Sequence, residues 1–416
     1  PRLAGQVRAQ GVMSPQRGRA RNFLGGETGL ALAIVAFLLL AGLLDAQHNY
    51  WHAPGASAIK ILRQTSMLGI FALGSAIVII AGGIDLSSGS TIAFSGAICS
   101  MLMLLLARDA MQNAQPVGVG VIALAIGGTI VCSLLVGSLH TWLITVVGLP
   151  PFIATLATLV GLRSLGRSLI ENVTLHVLGG SSTQIQIYDA QFRYLATSVW
   201  IPALVFVLLA AVLWLMMSRT VVGRHLYALG GNETAARLSG IRTARLKWLA
   251  YCISALTSAI AGILYIGDQS TADPQTLGRG YELNAIAAAV VGGCSLQGGV
   301  GSIPGTVLGC VFLQVVVDGI AKIIKTSADV YEGLIVGVVL VIAVAVNQGG
   351  RRKALFQGWL GAITVLNLAL FGGALGLLVS GPRTGGIVAV VTLAILTIWK
   401  VLEDRRAAAE RSAPSS

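Results

Sequence analysis

Apolar stretches of about 20 residues recur along most of this chain, and they constrain its fold more than any other feature. A helix that crosses a bilayer needs about 20 mainly apolar residues. In lipid the backbone must satisfy its own hydrogen bonds, which favours helices. Only 11% of the residues are charged, against about 25% in a soluble domain. The sequence therefore predicts an all-α integral membrane protein, a polytopic helix bundle in contact with membrane lipid.

About twelve of these stretches are predicted to cross the bilayer, ten in a core and two in an additional C-terminal hairpin. An amphipathic segment, Ala58–Gln64, precedes the second stretch, and a polar loop, Glu171–Thr197, follows the fifth. The first is expected to be a retained helix, because no persuasive signal-peptide cleavage site follows it. The predicted crossings are Thr28–Ala46, Met67–Ala81, Ser90–Ala107, Val117–Leu139, Pro150–Leu165, Val199–Met217, Trp248–Ile266, Tyr281–Val291, Ile303–Ile324, Val330–Val346, Trp359–Val379 and Gly386–Val401.

Basic residues predict the orientation, because cytoplasmic loops carry an excess of Lys and Arg. Such residues crowd the loop after the sixth crossing and the N-terminal tail, so both are expected to be cytoplasmic. This pattern accounts for the net charge of +12 without a nucleic-acid partner. The number of crossings after that loop must be even if the chain is to return to the cytoplasm, and this requires the short stretch Tyr281–Val291 to cross as well. The predicted regions are a cytoplasmic basic tail (1–27), a transmembrane domain (28–350) with a cytoplasmic loop (218–247), an additional transmembrane hairpin (351–403) and a cytoplasmic tail (404–416).

Two glycine-rich segments, Ala81–Leu86 and Val291–Leu296, resemble each other and each lie between two apolar stretches. Glycine pairs break helices, and broken helices at membrane depth usually line a cavity. Ordinary glycine-rich turns at the membrane surface are the alternative. Asp85 is a candidate because an ionisable group near the membrane interior is costly, and Glu282 opens a short helix whose dipole stabilises it. The candidate pathway or gate residues are Gly83, Asp85, Glu282 and Gly293.

The segment Gly223–Ile241 is the longest polar, basic segment inside the apolar part of the chain, and it predicts a short helix on the membrane surface. Asn232 suits the N-cap, Glu233 suits the first turn, and Gly240 suits the left-handed residue that ends a helix. Such a helix can dock into a groove on another protein, whereas a solvated basic loop is the alternative. Its small apolar face is expected to consist of Ala235, Ala236 and Leu238.

Motifs for hydrolysis, redox chemistry and nucleotide binding are absent from the sequence. It contains no GxSxG, no HExxH and no GxxxxGK[ST] phosphate loop. The chain is therefore not expected to be an enzyme or to hydrolyse ATP itself. No catalytic residue, cofactor or metal site is predicted. The five cysteines show no CxxC spacing and are expected to be small buried residues.

Four segments, in this order along the chain, resemble the permease subunits of ABC transporters that import ribose, xylose, arabinose and galactose. That family's cytoplasmic coupling loop has an Ala-Ala pair followed by Gly, and Thr234 stands here where a second acidic residue is usual. The resemblance covers about residues 58–350. The segments are Gly82–Ser90 (GGIDLSSGS), Leu149–Leu156 (LPPFIATL), Asn232–Gly240 (NETAARLSG) and Pro274–Gly299 (PQTLGRGYELNAIAAAVVGGCSLQGG).

The resemblance implies a monosaccharide importer in the bacterial inner membrane. Two permease subunits, alike or different, would form the pathway, and an ABC ATPase would dock on the coupling helices. A periplasmic or extracellular binding protein would deliver the sugar. An importer of a nucleoside, a branched-chain amino acid or a signalling sugar, an ion-coupled secondary transporter and a structural membrane partner are the alternatives. The residues that the resemblance assigns to ATPase coupling are Asn232, Glu233, Ala235, Ala236 and Gly240.

Overall fold

The computed structural model describes residues 27–45, 49–324, 328–348, 358–380 and 382–412, and these residues are almost entirely helical, as predicted. Two strands of two residues each, β1 (Ile185–Gln186) and β2 (Thr271–Ala272), pair antiparallel. The helices are α1 (Glu27–Leu44), α2 (Asn49–His52), α3 (Pro54–Ile80), α4 (Ser88–Leu106), α5 (Arg108–Gln112), α6 (Val119–Thr145), α7 (Pro151–Leu178), α8 (Ala190–Thr197), α9 (Trp200–Arg219), α10 (Val221–Gly231), α11 (Glu233–Leu238), α12 (Thr243–Gln269), α13 (Tyr281–Val291), α14 (Ile303–Ile324), α15 (Ala328–Gln348), α16 (Gly358–Ser380) and α17 (Pro382–Ser412).

Eight helices in the described part of the chain are long and apolar enough to cross a membrane: α1, α3, α4, α6, α7, α9, α12 and α14. The predicted crossing at Tyr281–Val291 is a helix with those bounds, α13. Its 11 residues extend only about 16 Å, which is about half of a hydrocarbon core of about 30 Å. A regular helix therefore does not carry the chain across at this point.

The prediction of a polar loop at Glu171–Thr197 is wrong over much of that range. Helix α7 continues to Leu178, and α8 forms at Ala190–Thr197. The extension holds because polar side chains bond within the helix: Thr174 Oγ1 donates to the Ile170 carbonyl at 2.8 Å. The amphipathic segment Ala58–Gln64 is likewise continuous with the second crossing in α3. Ala46, the predicted end of the first crossing, lies outside the described residues.

Helix α12 packs against α3, α4 and α6 and forms the centre of the first of two compact units, Pro1–Val344. Small residues allow these helices to approach closely, as is usual in membrane bundles. A Cβ on Gly74 of α3 would lie 2.8 Å from the Ser254 Cα of α12, so the two backbones touch. The five cysteines are free thiols.

Two of the central helices are interrupted by non-helical segments. Residues 81–87 separate α3 from α4, and residues 270–280 separate α12 from α13. The second segment lies against α4, where a Cβ on Gly89 would overlap the Gly278 carbonyl and also the Glu282 carboxylate of α13. The break predicted at Ala81–Leu86 is therefore present. The break predicted at Val291–Leu296 corresponds to residues 292–302, which separate α13 from α14, whereas the break at residues 270–280 was not predicted.

The second compact unit, Ala345–Ser416, contains the hairpin of α16 and α17. Gly372 of α16 faces Thr392 of α17, where an added Cβ would lie 3.5 Å from the Thr392 hydroxyl. Helix α17 continues without a break to Ser412, past the boundary predicted at residues 403 and 404. The basic residues Arg351–Lys353 lie outside the described residues.

Candidate functional site

The basic segment between α9 and α12 forms two helices, α10 and α11, that meet at Asn232. The Asn232 side chain accepts a hydrogen bond from the Ala235 N–H at 2.9 Å, which is the predicted N-cap bond. The Asn232 N–H bonds back to Ala228 at 3.1 Å and ends α10. One residue therefore ends one helix and begins the next, and it fixes the angle between them.

Gly240 ends α11 as predicted, in the left-handed region with φ of +83°. The Gly240 N–H donates to the Arg237 carbonyl at 3.0 Å, and the Ile241 N–H donates to the Ala236 carbonyl at 3.1 Å. These two bonds form a Schellman motif, which satisfies carbonyls at the end of a helix.

The expected apolar face of α11 is divided. Ala235 is exposed and Leu238 is 82% exposed, whereas Ala236 is 4% exposed and packs into the chain itself. The Glu233 carboxylate pairs with Lys247 Nζ of α12 at 2.7 Å. Helix α11 is thus held to the bundle through Ala236 and Glu233, and it presents Ala235 and Leu238 outwards.

Backbone atoms of three glycine-containing turns meet beneath α10, in what we call the glycine junction: Gly82, Gly230 and Gly298–Gly299. The Gly299 N–H donates to the Ile80 carbonyl at 2.9 Å. A Cβ on Gly230 would lie 2.5 Å from the Gly299 nitrogen, and a Cβ on Gly298 would lie 2.7 Å from the Gly82 Cα. The end of α10 is therefore in direct backbone contact with the end of α3 and with the turn between α13 and α14.

Tyr227 of α10 adds a side-chain bond to this contact. Its hydroxyl donates to the Gly301 carbonyl at 2.9 Å. Burial raises the pKa of the Tyr227 phenol, so it stays protonated as a donor. Ser302 follows in the chain and donates to Glu27 at 2.7 Å. The start of α1 therefore lies at the same end of the bundle as α10, as the charge pattern predicted.

The two similar glycine-rich segments share one local structure, offset by one residue from their sequence alignment. The Gly82 N–H bonds to Ile79 and the Gly83 N–H to Val78, and Gly293 and Cys294 repeat this pattern with Val290 and Ala289. Gly82 and Gly293 have φ of +82° and +94°. The resemblance thus reflects a common helix cap. A Cβ added to Gly293 would have no atom within 4 Å, so its left-handed conformation, and not lack of space, favours glycine there.

Asp85 is buried, at 4% exposure, in the segment that leads into α4. Its Oδ1 accepts from the Ser87 N–H at 2.8 Å and the Ser87 hydroxyl at 2.6 Å. Its Oδ2 accepts from the Ser254 hydroxyl of α12 at 2.6 Å. These bonds engage both side-chain oxygens of Asp85. Asp85 thus ties the first broken segment to the central helix.

Glu282 lies at the start of α13, against Gly89 of α4. Its Oε2 atom is buried and has no hydrogen-bond partner in the described part of the chain. Arg163 of α7 donates to the carbonyls of Pro274, Leu277 and Gly278 at 3.1, 2.8 and 2.9 Å. Arg163 therefore holds the second broken segment in place just before Glu282.

Sequence reasoning missed the role of Arg163 and the partners of Asp318. The Asp318 side chain is fully buried and pairs with Lys60 Nζ and Lys322 Nζ at 2.9 Å each. It also accepts from the Tyr50 hydroxyl at 2.9 Å. Burial raises the pKa of Tyr50, which therefore stays a donor. These partners lie far from Asp318 in sequence, apart from Lys322.

The comparisons agree with this architecture. Residues 57–344 match the family described as the permease component of branched-chain amino acid transport systems. The ribose import permease of Escherichia coli strain K12 is 35% identical over 76% of this chain and 92% of its own. The fructose import permease of Rhizobium meliloti is 31% identical over 78% and 85%, and the xylose transport permease of Escherichia coli strain K12 is 28% identical over 79% and 96%. No solved structure matches the chain significantly.

Proposed function

The chain belongs to the permease family of branched-chain amino acid transport systems, and we propose that it forms half of the pathway of an ATP-driven importer for a monosaccharide. It is a multi-pass permease of the inner membrane. The ribose, fructose and xylose permeases among its relatives support a sugar as the substrate. A branched-chain amino acid or a nucleoside is the alternative substrate within the same class.

The glycine junction is the observation that carries the mechanism. It joins α10 directly to the turn that leads to Asp85 and to the turn that follows the helix of Glu282. A push on α10 and α11 therefore moves the segment at residues 81–87 and the turn between α13 and α14, because close backbone contacts cannot be compressed. ATP-dependent closure of a separate ATPase subunit supplies this push, and the bundle rocks between outward and inward openings.

The exposed side of α11 is the proposed ATPase contact. Ala235 and Leu238 enter a groove on the ATPase, while Asn232, Glu233, Ala236 and Gly240 hold the helix in shape and position. A second permease subunit completes the pathway, and an external binding protein delivers the sugar. Asp85, Glu282, Gly83 and Gly293 act at the gate through the segments they occupy.

The family match and the first compact unit both end at residue 344, within α15, which supports a transmembrane domain that ends with that helix. We assign the hairpin of α16 and α17 to a separate addition. This boundary lies close to the one expected at residue 350.

A pair of variants on α11 tests the proposal. Ala235→Glu places a charge in the ATPase groove, and Thr234→Glu places the same charge on the neighbouring residue, where related permeases usually carry an acid. The tagged chain is purified from native membranes, and ATP hydrolysis is assayed on the eluate. We expect a co-purifying ATPase with the unmodified chain and Thr234→Glu, and its loss with Ala235→Glu.

Uptake of radiolabelled ribose, xylose, fructose and leucine by cells identifies the substrate. Ala235→Glu should abolish uptake while the protein remains in the membrane. Normal uptake by that variant, or uptake that follows the proton gradient at constant ATP, would contradict the importer.

A further inference from the structure

A cavity of about 330 Å³ lies between the coupling helices and the bundle. The Gly82–Gly83 turn lines it, together with Gly230, Gly231 and Asn232 at the end of α10. Tyr251 of α12 and Gln297 complete the lining. The cavity thus borders both sides of the glycine junction, and its volume is in the range of small-molecule sites.

The Tyr251 hydroxyl lacks a hydrogen-bond partner within the described part of the chain. Tyr251 is only 2% exposed, and a Cβ on Gly83 would lie 2.7 Å from its oxygen. The hydroxyl therefore lies against the cavity wall that Gly83 forms. A buried hydroxyl without a partner is costly, so this group points to a ligand that hydrogen-bonds.

The charges at the cavity favour a neutral ligand. Lys247 and Glu233 both line it, and they pair with each other at 2.7 Å, which leaves no unbalanced charge for a phosphate or carboxylate. The remaining polar groups are the Tyr251 phenol and the amides of Asn232 and Gln297. The Asn232 oxygen is engaged by the Ala235 N–H, so that amide offers its own N–H donors. Donors and acceptors without net charge suit a ligand rich in hydroxyl groups.

We propose that this cavity binds the imported monosaccharide from the cytoplasmic side and thereby slows further import. This inference rests on the proposed function and adds a second sugar site, with a regulatory role. An occupant contacts the Gly82–Gly83 turn and the end of α10 together, and so fixes their separation. Because a push on α10 reaches the gate through that contact, a wedged sugar holds the gate in one state.

Direct binding tests the site. The full chain is placed in lipid nanodiscs and titrated separately with D-ribose, D-xylose, D-fructose and inorganic phosphate, with ligand-detected NMR as the readout. We expect at least one sugar to bind and phosphate not to bind. Tyr251→Phe and Gln297→Ala should each weaken sugar binding about 3- to 10-fold, the effect of one hydrogen bond. Tyr194→Phe, at an exposed tyrosine of α8, is the control and should bind as the unmodified chain does.

Absence of sugar binding, equal binding by all three variants, or phosphate binding as tight as sugar binding would overturn the site. Regulation is tested in right-side-out membrane vesicles that contain the whole transporter and ATP. Vesicles preloaded with the bound sugar should take up labelled sugar more slowly, and Tyr251→Phe should relieve this inhibition. Inhibition that is absent, or equal in both, would refute the regulatory role.

The two proposals fail separately. Sugar uptake that depends on this chain, without Tyr251-dependent binding, would remove the cavity site and leave the importer intact. Tyr251-dependent binding, without uptake of any tested sugar, would contradict the sugar importer and leave the cavity as a sugar site.

Discussion

Replacing Gly230 by Ala should uncouple the permease, whereas the same change at Gly231 should not. Both residues close α10, and in a helix Ala is favoured over Gly by about 1 kcal/mol. The two positions differ in the space available for a Cβ atom. A Cβ on Gly230 would overlap the Ile80 carbonyl and lie 2.5 Å from the Gly299 nitrogen, whereas a Cβ on Gly231 has nothing within 4 Å.

The size of the effect follows from that overlap. An ordinary contact begins at 3.4 Å, so the Gly299 nitrogen must retreat by about 0.9 Å, and its bond to Ile80 is lost or stretched. Overpacking costs about 1–3 kcal/mol, and a lost hydrogen bond costs about 1 kcal/mol. The higher helix propensity of Ala offsets about 1 kcal/mol of this destabilisation. We expect Gly230→Ala to destabilise the protein by about 1–3 kcal/mol and Gly231→Ala to be neutral or slightly stabilising.

Two assays on the paired variants separate stability from coupling. Thermal unfolding in detergent measures the loss of stability. Uptake per molecule of ATP hydrolysed in vesicles measures the coupling, which should fall in Gly230→Ala alone. If Gly230→Ala matched Gly231→Ala in both assays, the glycine junction would not transmit the movement.

Three further predictions concern other parts of the chain. Asp318→Ala leaves two lysines beside an emptied site and should lower stability by about 3 kcal/mol, the scale of a broken buried ion pair; in the same thermal assay Glu171→Ala, at a surface pair, should give no measurable change. Arg163→Lys cannot reach three carbonyls at once and should reduce uptake severalfold at normal expression; unchanged uptake would refute its role. A chain that ends after Gln348 should insert and transport normally, and loss of transport would make the hairpin part of the permease.

The sequence predicted the features that depend on local chemistry. The bounds of α13, the cap at Asn232 and the left-handed Gly240 were all confirmed, because each depends on residues within one or two turns of helix. The lengths of the apolar stretches likewise gave the all-α bundle. The offset of Gly82 and Gly293 shows the limit of this reasoning, since two adjacent glycines do not reveal which one takes the left-handed conformation.

Features that depend on distant backbone could not be predicted. Arg163 bonds to carbonyls more than 100 residues away, and a carbonyl acceptor leaves no trace in residue type. Helix α11 has six residues, too few for periodicity to reveal that Ala236 faces inwards and Ala235 outwards. Asp318 finds Lys60 only through the packing of α14 against α3. The glycine junction could not be predicted either, because its contacts are made by main-chain atoms, which every residue has.

The glycine junction also sets an order of events while the protein is made. Gly230 emerges from the ribosome about 70 residues before Gly299, and at about 5–20 residues per second that interval is roughly 3–14 s. Until Gly299 arrives, one side of the last turn of α10 has no partner, although Ala236 and the Glu233–Lys247 pair already hold α11. The contact that transmits a push from α11 to the gate is therefore complete only after α13 has been placed. An unfinished chain should accordingly bind the ATPase without coupling to it, and coupling should follow completion of the permease core.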